Sequence, residues 1–414
     1  MAKKYKNPEV RFKGFTEDWK HPELGEVLTE RKTMQKISED APILAFASGQ
    51  GVIDRSERKS NNRDHLTLDQ ENKVYKLTEF NDIVYNPSNL KYGAIDRNKH
   101  GRGVISPIYV TFTTAEEPSF IELIVKSEKF KLRALQYEEG TVVKRQSVSP
   151  ENLLSLKVGV SNSLDEQKKI GKLFEYIEDL INHHQKKYDK LVILKKAMLA
   201  KMFPKNGAVV PEIRFKEFTG DWREEKLGDI GKPYTGLSGK TKDDFGHGKG
   251  KFVTYSNIFN NPVSNSEMTE IIEIDQEQNE VLFGDVLFTT SSETPEEVGM
   301  SSVWLDNERN IYLNSFCFGY RLYEKLDNYF LAYLLRSINF RKNISFLAQG
   351  ISRYNISKRK VMEITIEIPS PKEQVKIGEY FKNLENQIAL HQSQLEKLKN
   401  IKKACFSKML VTQE

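Results

Sequence analysis

The chain has 414 residues, 38% hydrophobic and 29% charged, with a net charge of +5, and that length predicts two or three domains, each able to bury its own core. No apolar run nears the ~20 residues of a membrane span, and the basic start Met1-Ala2-Lys3-Lys4-Tyr5-Lys6 lacks the apolar stretch of a signal peptide, so a cytoplasmic protein is expected. Only Cys317 and Cys405 are present, which argues against a disulfide framework or a cysteine zinc site, while the mild positive charge permits nucleic acid as a partner without requiring it.

In chain order, the first feature is Pro8-Glu9-Val10-Arg11-Phe12-Lys13, followed by Phe15-Thr16, Asp18-Trp19 and Leu24-Gly25. Residues 21–158 then read as strand-rich. Ile83-Val84-Tyr85, Val104-Ile105 and Ile108-Tyr109-Val110 are short β-branched and aromatic runs separated by Gly, Asn, Asp and Pro. Arg55, Arg58, Lys59, Asn61, Asn62 and Arg63 crowd one basic loop of this stretch. Arg97, Lys99, His100 and Arg102 crowd a second, and Lys91, Tyr92, Lys144 and Arg145 complete the candidates for nucleic-acid contact.

Residues 164–203 read as one long helix. Ile170, Leu173, Ile177, Leu180, Leu191, Leu194 and Met198 fall on heptad a and d positions. Asp165 and Glu166 complement the helix dipole in the first turn, and Pro204 and Gly207 end the helix. At ~1.5 Å per residue it forms a rod of roughly 60 Å. Met198, Met202 and Met409 near the rod ends suit packing or a partner surface.

The opening then returns as Pro211-Glu212-Ile213-Arg214-Phe215-Lys216, Phe218-Thr219, Asp221-Trp222 and Leu227-Gly228, each matched residue 203 positions after its first copy. Residues 223–368 are again strand-rich, with Phe252-Val253-Thr254-Tyr255 and Val286-Leu287-Phe288. Asn81-Asp82-Ile83-Val84-Tyr85 aligns with Gly284-Asp285-Val286-Leu287-Phe288. Ser127-x-x-Phe130 aligns with Ser337-x-x-Phe340, and Lys144-Arg145 lies near the position of Ser352-Arg353. The polar candidates here are Lys240, Lys242, Lys249, Tyr255, Asn257, Thr290, Ser291, Ser292, Arg353 and Tyr354. Arg and Lys suit guanine edges and phosphates, and Asn suits adenine edges. A single such loop is more often a solvated charge run, but basic loops in both modules favour nucleic acid.

Residues 371–411 repeat the long helix. Glu166-Gln167-x-x-Ile170-Gly171 with Phe174 returns as Glu373-Gln374-x-x-Ile377-Gly378 with Phe381, now 207 positions on, and Ile377, Leu384, Leu398 and Ile401 mark the seam. Two matched rods with narrow apolar seams are poorly explained as separate surface helices. They are expected to pair with each other, antiparallel under a pseudo-twofold. The expected architecture is α+β, two strand-rich globular domains separated by two long helices. Domain one spans 1–158, the central helix 159–208, domain two 209–368 and the C-terminal helix 369–414.

Several catalytic signatures fail on spacing. Gly236-Leu237-Ser238-Gly239-Lys240-Thr241 has two residues between its glycines where a nucleotide loop needs four, which leaves a Lys-bearing loop near a nucleic-acid backbone or a solvated one. Asn86-Pro87-Ser88-Asn89 lacks the second proline and the aromatic with which adenine methyltransferases grip a flipped base, and no donor-binding Phe-x-Gly-x-Gly follows. His21, His65, His100, His183, His184, His247 and His391 form no metal-ligand spacing, and there is no Gly-x-Ser-x-Gly elbow. Neither catalysis nor a metal site is expected.

The Arg-Phe-x-x-Phe-x-x-x-Trp openings (Arg11 to Trp19, Arg214 to Trp222), the Gly-Asp-Val strand start with its degenerate first copy, the Glu-Gln-x-x-Ile-Gly helix starts and the Leu/Ile-Lys-Lys-Ala helix ends follow one another in both halves. In this order and duplication the chain resembles the specificity subunits of type I restriction–modification systems along essentially its whole length. The resemblance implies that the variable modules are target recognition domains, each reading half of a split, asymmetric double-stranded DNA sequence in the major groove. It implies that the paired helices set the spacer and dock two methyltransferase subunits, through which motor–endonuclease subunits join. It further implies no active site, cofactor, metal or membrane contact in this chain, since S-adenosylmethionine, ATP and Mg would belong to partner subunits. Two other readings compete with it: a stand-alone DNA methyltransferase or nuclease, opposed by the missing motifs, and a coiled-coil protein adaptor, opposed by the divergent basic modules.

Overall fold

A computed structural model describes residues 7–47, 49–57, 73–139, 146–205 and 207–411. The chain forms two compact units, residues 1–184 with 394–414 and residues 185–393, so the boundary falls inside each long helix. Among the described residues no helix is long and apolar enough to cross a membrane.

Each unit is built on the same four-stranded antiparallel sheet. In the first unit the strand order is Leu28–Glu30, Val110–Thr114, Ile83–Tyr85, Ile95–Arg97; in the second it is Gly231–Thr235, Cys317–Leu322, Val286–Thr289, Ser301–Val303. The central runs Ile83-Val84-Tyr85 and Val286-Leu287-Phe288 are fully buried, as β-branched and aromatic side chains covered on both faces should be. A helix pair follows each sheet, Pro118–Val125 with Glu128–Leu135 and Asn328–Leu334 with Ile338–Phe346. Ser127 and Ser337 cap the second helix of each pair, accepting from the Phe130 and Phe340 amides at 3.0 and 3.3 Å, which is why that Ser-x-x-Phe spacing recurs. The rest diverges. The first unit adds the sheet Met34–Gln35, Tyr75–Thr78, Gly103–Ile105 and the hairpin Leu44–Ala47/Gly51–Asp54; the second adds Thr269–Ile272, Phe245–Val253, Ile311–Leu313.

The repeated motifs are the joints of this scaffold. Glu166, with no exposed side-chain surface, receives Arg11 Nε and Nη2 at 2.8 Å each, Trp19 Nε1 at 3.0 Å and Ser161 Oγ at 2.5 Å. Glu373 receives Arg214 in the same bidentate way at 2.7 and 2.8 Å, although the indole N–H of Trp222 is buried without a partner. Gln167 Oε1 accepts from the Glu117 amide at 2.9 Å and Gln374 Oε1 from the Asp327 amide at 3.0 Å, so each glutamine holds the N-terminus of the first helix of its pair. Gly171 and Gly378 let those turns approach closely. A Cβ there would lie 2.0 Å from Ser119 Oγ or 2.3 Å from Asp327 Oδ1. The turn before each buried strand takes positive φ at Asn81 (75°) and Gly284 (87°). The next residue, Asp82 or Asp285, then accepts a backbone amide and a bidentate arginine, Arg31 or Arg321.

The long helices are Leu164–Lys201 and Pro371–Met409. In the first unit Phe174 meets Phe406 edge-on at 5.9 Å and Lys402 bonds Glu178 at 2.8 Å; in the second Phe203 stacks on Phe381 at 5.7 Å and Lys195 pairs with Glu385. Ile170, Ile177, Ile377 and Leu384 are buried and Leu191 and Leu398 half-buried, but the stripe steps by four where the heptad reading stepped by three. It runs through Phe174, Phe381, Ile388 and Leu395, with Leu173 and Leu180 half-buried at its flank. Leu194 and Ile401 are 40% and 49% exposed, so neither is a seam residue. Their neighbours Lys195 and Lys402 take that place because a lysine can lay its methylenes in the seam while its ammonium pairs outside.

Candidate nucleic-acid interface

Both units bring the end of the buried central strand against one hairpin. In the second unit the strand Val286–Thr289 runs on through Thr290 to Ser291-Ser292, which pairs antiparallel with Tyr354-Asn355. The Ile356 amide donates to Thr290 O at 3.0 Å, Tyr255 Oη donates to Ser291 O at 2.6 Å and Thr290 Oγ1 to Phe316 O at 2.7 Å. Tyr255, Thr290, Ser291, Ser292, Arg353 and Tyr354, scattered over 100 positions of sequence, therefore converge on one corner. Arg353 is exposed there, while Ser291 and Ser292 are buried and act through the backbone they fix. Burial raises the Tyr255 phenol above its usual range, so it serves as a neutral hydrogen-bonding group.

The first unit has the same corner with different side chains. After Ile83–Tyr85, Asn86 caps the short helical turn Pro87–Tyr92, accepting from Ser88 N at 3.0 Å, and Gly93 (φ 76°) ends it. Asn86-Pro87-Ser88-Asn89 is thus a capped turn. The hairpin Glu138–Glu139/Ser147–Val148 abuts it: the Tyr85 phenol donates to Val148 O, and Lys91 Nζ lies 3.8 Å from Glu138. Tyr92 is 66% exposed beside Lys91. Lys144 and Arg145, and the loop residues Arg58, Lys59, Asn61, Asn62 and Arg63, lie outside the described residues; Arg55 is half-buried in the turn just before that loop.

The remaining candidates lie apart from these corners. Arg97 is buried, donating to Glu122 and Asn81 at 2.8 Å each and to Glu175; each of its three guanidinium nitrogens is engaged inside the fold, so it is a core residue and not a DNA contact. Asn257 is likewise buried, its amide holding the Asn265 and Met268 carbonyls at 2.7 and 3.0 Å, and is corrected in the same sense. Lys99 pairs with Glu122 at 2.7 Å and Arg102 with Glu79 at 2.5 Å near the other end of the Ile83–Tyr85 strand. Lys240 pairs with Asp275 at 2.7 Å. Its loop is tied by Ser238 N donating to Gln278 at 3.0 Å; Lys242 and Lys249 are exposed nearby. Among the described residues no three His, Cys, Asp or Glu converge to hold a metal. What the corners present is donors, acceptors and aromatic faces.

Residues 219–400 match the family described as type I restriction modification DNA specificity domain. The chain is 26% identical over 274 residues to the type I restriction enzyme MjaVIII specificity subunit of Methanocaldococcus jannaschii, covering 60% of each chain, so it spans about 60% of that relative's length. It is 26% identical over 314 residues to the putative type I restriction enzyme MjaX specificity subunit of the same organism, covering 71% of this chain and 67% of that one. The crystal structure of the type I restriction–modification system S subunit from M. genitalium shares the fold, with a TM-score of 0.52 at 13% identity over 98% of this chain and 99% of that one. With the sheet and its joints built twice, the chain is similar to type I restriction–modification specificity subunits, and residues 219–400 match their DNA specificity domain.

Proposed function

We infer that this chain selects the DNA sequence on which a type I restriction–modification complex acts, each unit reading one half of a bipartite, asymmetric target. One observation carries the reading: the two units repeat one scaffold joint for joint, yet differ in the side chains their corners present. A symmetric reader would keep both corners alike; two unlike corners suit two unlike half-sites. Direct readout needs donors and acceptors matched to base edges, which Arg353 and Tyr354 supply in one corner, with the Tyr255 and Thr290 hydroxyl oxygens as acceptors, and Lys91 and Tyr92 in the other. The long helices, paired antiparallel as a continuous coiled coil under a pseudo-twofold, set the spacer and dock two methyltransferase subunits, through which motor–endonuclease subunits join. S-adenosylmethionine, ATP and Mg belong to those partners, and this chain supplies targeting without catalysis. Phosphate contacts add much of the affinity and make it fall with salt.

The test is a genome-wide map of N6-methyladenine in cells that carry the cognate methyltransferase subunit, with and without this chain. One split motif, two short halves around a fixed gap, should become methylated only when the chain is present. Unchanged methylation, with the methyltransferase expressed and bound to the chain, refutes target selection and favours an adaptor.

A further inference from the structure

The hairpin tip beside the second unit's corner presents an apolar side chain that the fold does not use. Ile351 is 96% exposed, between Gly350 and the exposed Ser352 and Arg353. The tip is firmly built. Gln349 and Asn355 exchange both backbone hydrogen bonds at 2.9 Å. Gly350 has φ 144°, and a Cβ there would lie 2.0 Å from Arg353 O, so only glycine fits. The tip is joined to the corner through Ser291-Ser292 opposite Tyr354-Asn355. Burying an isoleucine favours folding, yet the backbone holds Ile351 out.

We infer that Ile351 is a specificity-determining contact that reads the C5-methyl group of a thymine in the half-site facing the second unit. This rests on the DNA-reading function proposed above. In the major groove, base edges present donors, acceptors and one apolar group, the thymine methyl. A rigidly presented isoleucine flanked by a serine and an arginine therefore has one complementary partner there, while Ser352 and Arg353 have polar ones. The half-site must then contain an A·T pair.

The test uses the chain assembled with its methyltransferase and duplexes of the methylated motif. Each thymine of that half-site, on either strand, is replaced in turn by deoxyuridine, which removes the methyl and leaves pairing intact. One replacement should weaken binding about fourfold, the effect of one buried methyl-sized group. Ile351→Ala should bind the thymine duplex about as weakly and become indifferent to that replacement, while keeping its preference at every other position. The inference is overturned if wild type binds the intact motif but is indifferent to every replacement, if Ile351→Ala still discriminates as wild type does, or if the half-site has no A·T pair. Loss of specific binding by wild type to the intact motif would instead overturn the parent reading.

Discussion

At the residue scale the repeated motifs form matched electrostatic joints, with only the Trp222 indole left without the partner that Trp19 has. Burial opposes charge on Glu166, yet hydrogen bonds from Arg11, Ser161 and Trp19 hold its carboxyl below the usual range. That makes the joint a fixed ion pair rather than a switch. Glu367 differs. It lies half-buried on the strand Thr365–Ile368, directly opposite Glu224 of Arg223–Lys226, and burial, with the Glu224 charge behind it, raises its carboxyl to about 7. A folded-state value above the unfolded one favours the protonated form, so its contribution to stability is full below about 4.5 and is lost as pH rises through about 7. Glu367→Gln should leave the melting temperature unchanged near pH 4 and raise it at pH 8. The gain should be on the order of 1 kcal/mol after allowance for partial exposure. Equal melting temperatures of wild type and variant at pH 8 would refute the shift.

At the element scale, the long helices carry a pair of charges that the 207-residue repeat relates. Lys402 bonds Glu178 in the first unit and Lys195 pairs with Glu385 in the second, each lysine and each glutamate 207 positions from its counterpart. Charge pairs at the edge of a seam fix register more than they add stability. Lys195→Glu sets two carboxylates face to face and should destabilise the second unit by about 1 kcal/mol, and adding Glu385→Lys should restore it. A double-mutant cycle by thermal unfolding reads this, and strict additivity of the two changes would show that the pair does not interact. The glycines of the same helices act by absence of a side chain: at Gly171 and Gly378 a methyl group would occupy the space of Ser119 or Asp327.

For the whole molecule, the proposed separation of the two half-sites depends on helix length. The 38- and 39-residue helices extend about 57 Å and 59 Å at 1.5 Å per residue. Four residues inserted beside Lys186 add about 6 Å, under two base pairs at ~3.4 Å rise. The methylated motif should keep both halves and change its gap, as sequencing of modified DNA would report. An unchanged gap with both halves intact would refute the ruler.

The sequence by itself determined the duplication, the α+β class and the long helices, because each rests on local periodicity or on a motif copied at a fixed offset; that the motifs are joints, with Arg11 on Glu166 across 155 positions, only the structure decided. Ser127 and Ser337 are legible as caps only after the copies are aligned. Only the tertiary structure decided which polar residues face outward. Arg97 and Arg353 both read from the sequence as arginines in polar stretches, yet Arg97 ends a strand and Glu122, Asn81 and Glu175 enclose it, from 16 to 78 positions away. The seam was half legible: apolar spacing located Ile170 and Ile377, but Lys195 and Lys402 read as polar and pushed the stripe onto Leu194 and Ile401. Ile351 left only a faint signal, an apolar residue between Gly350 and Ser352. What makes it a candidate reader is its exposure at the tip of a hairpin that Gln349 and Asn355 close and that pairing with the distant Ser291-Ser292 anchors, an anchoring no local pattern encodes.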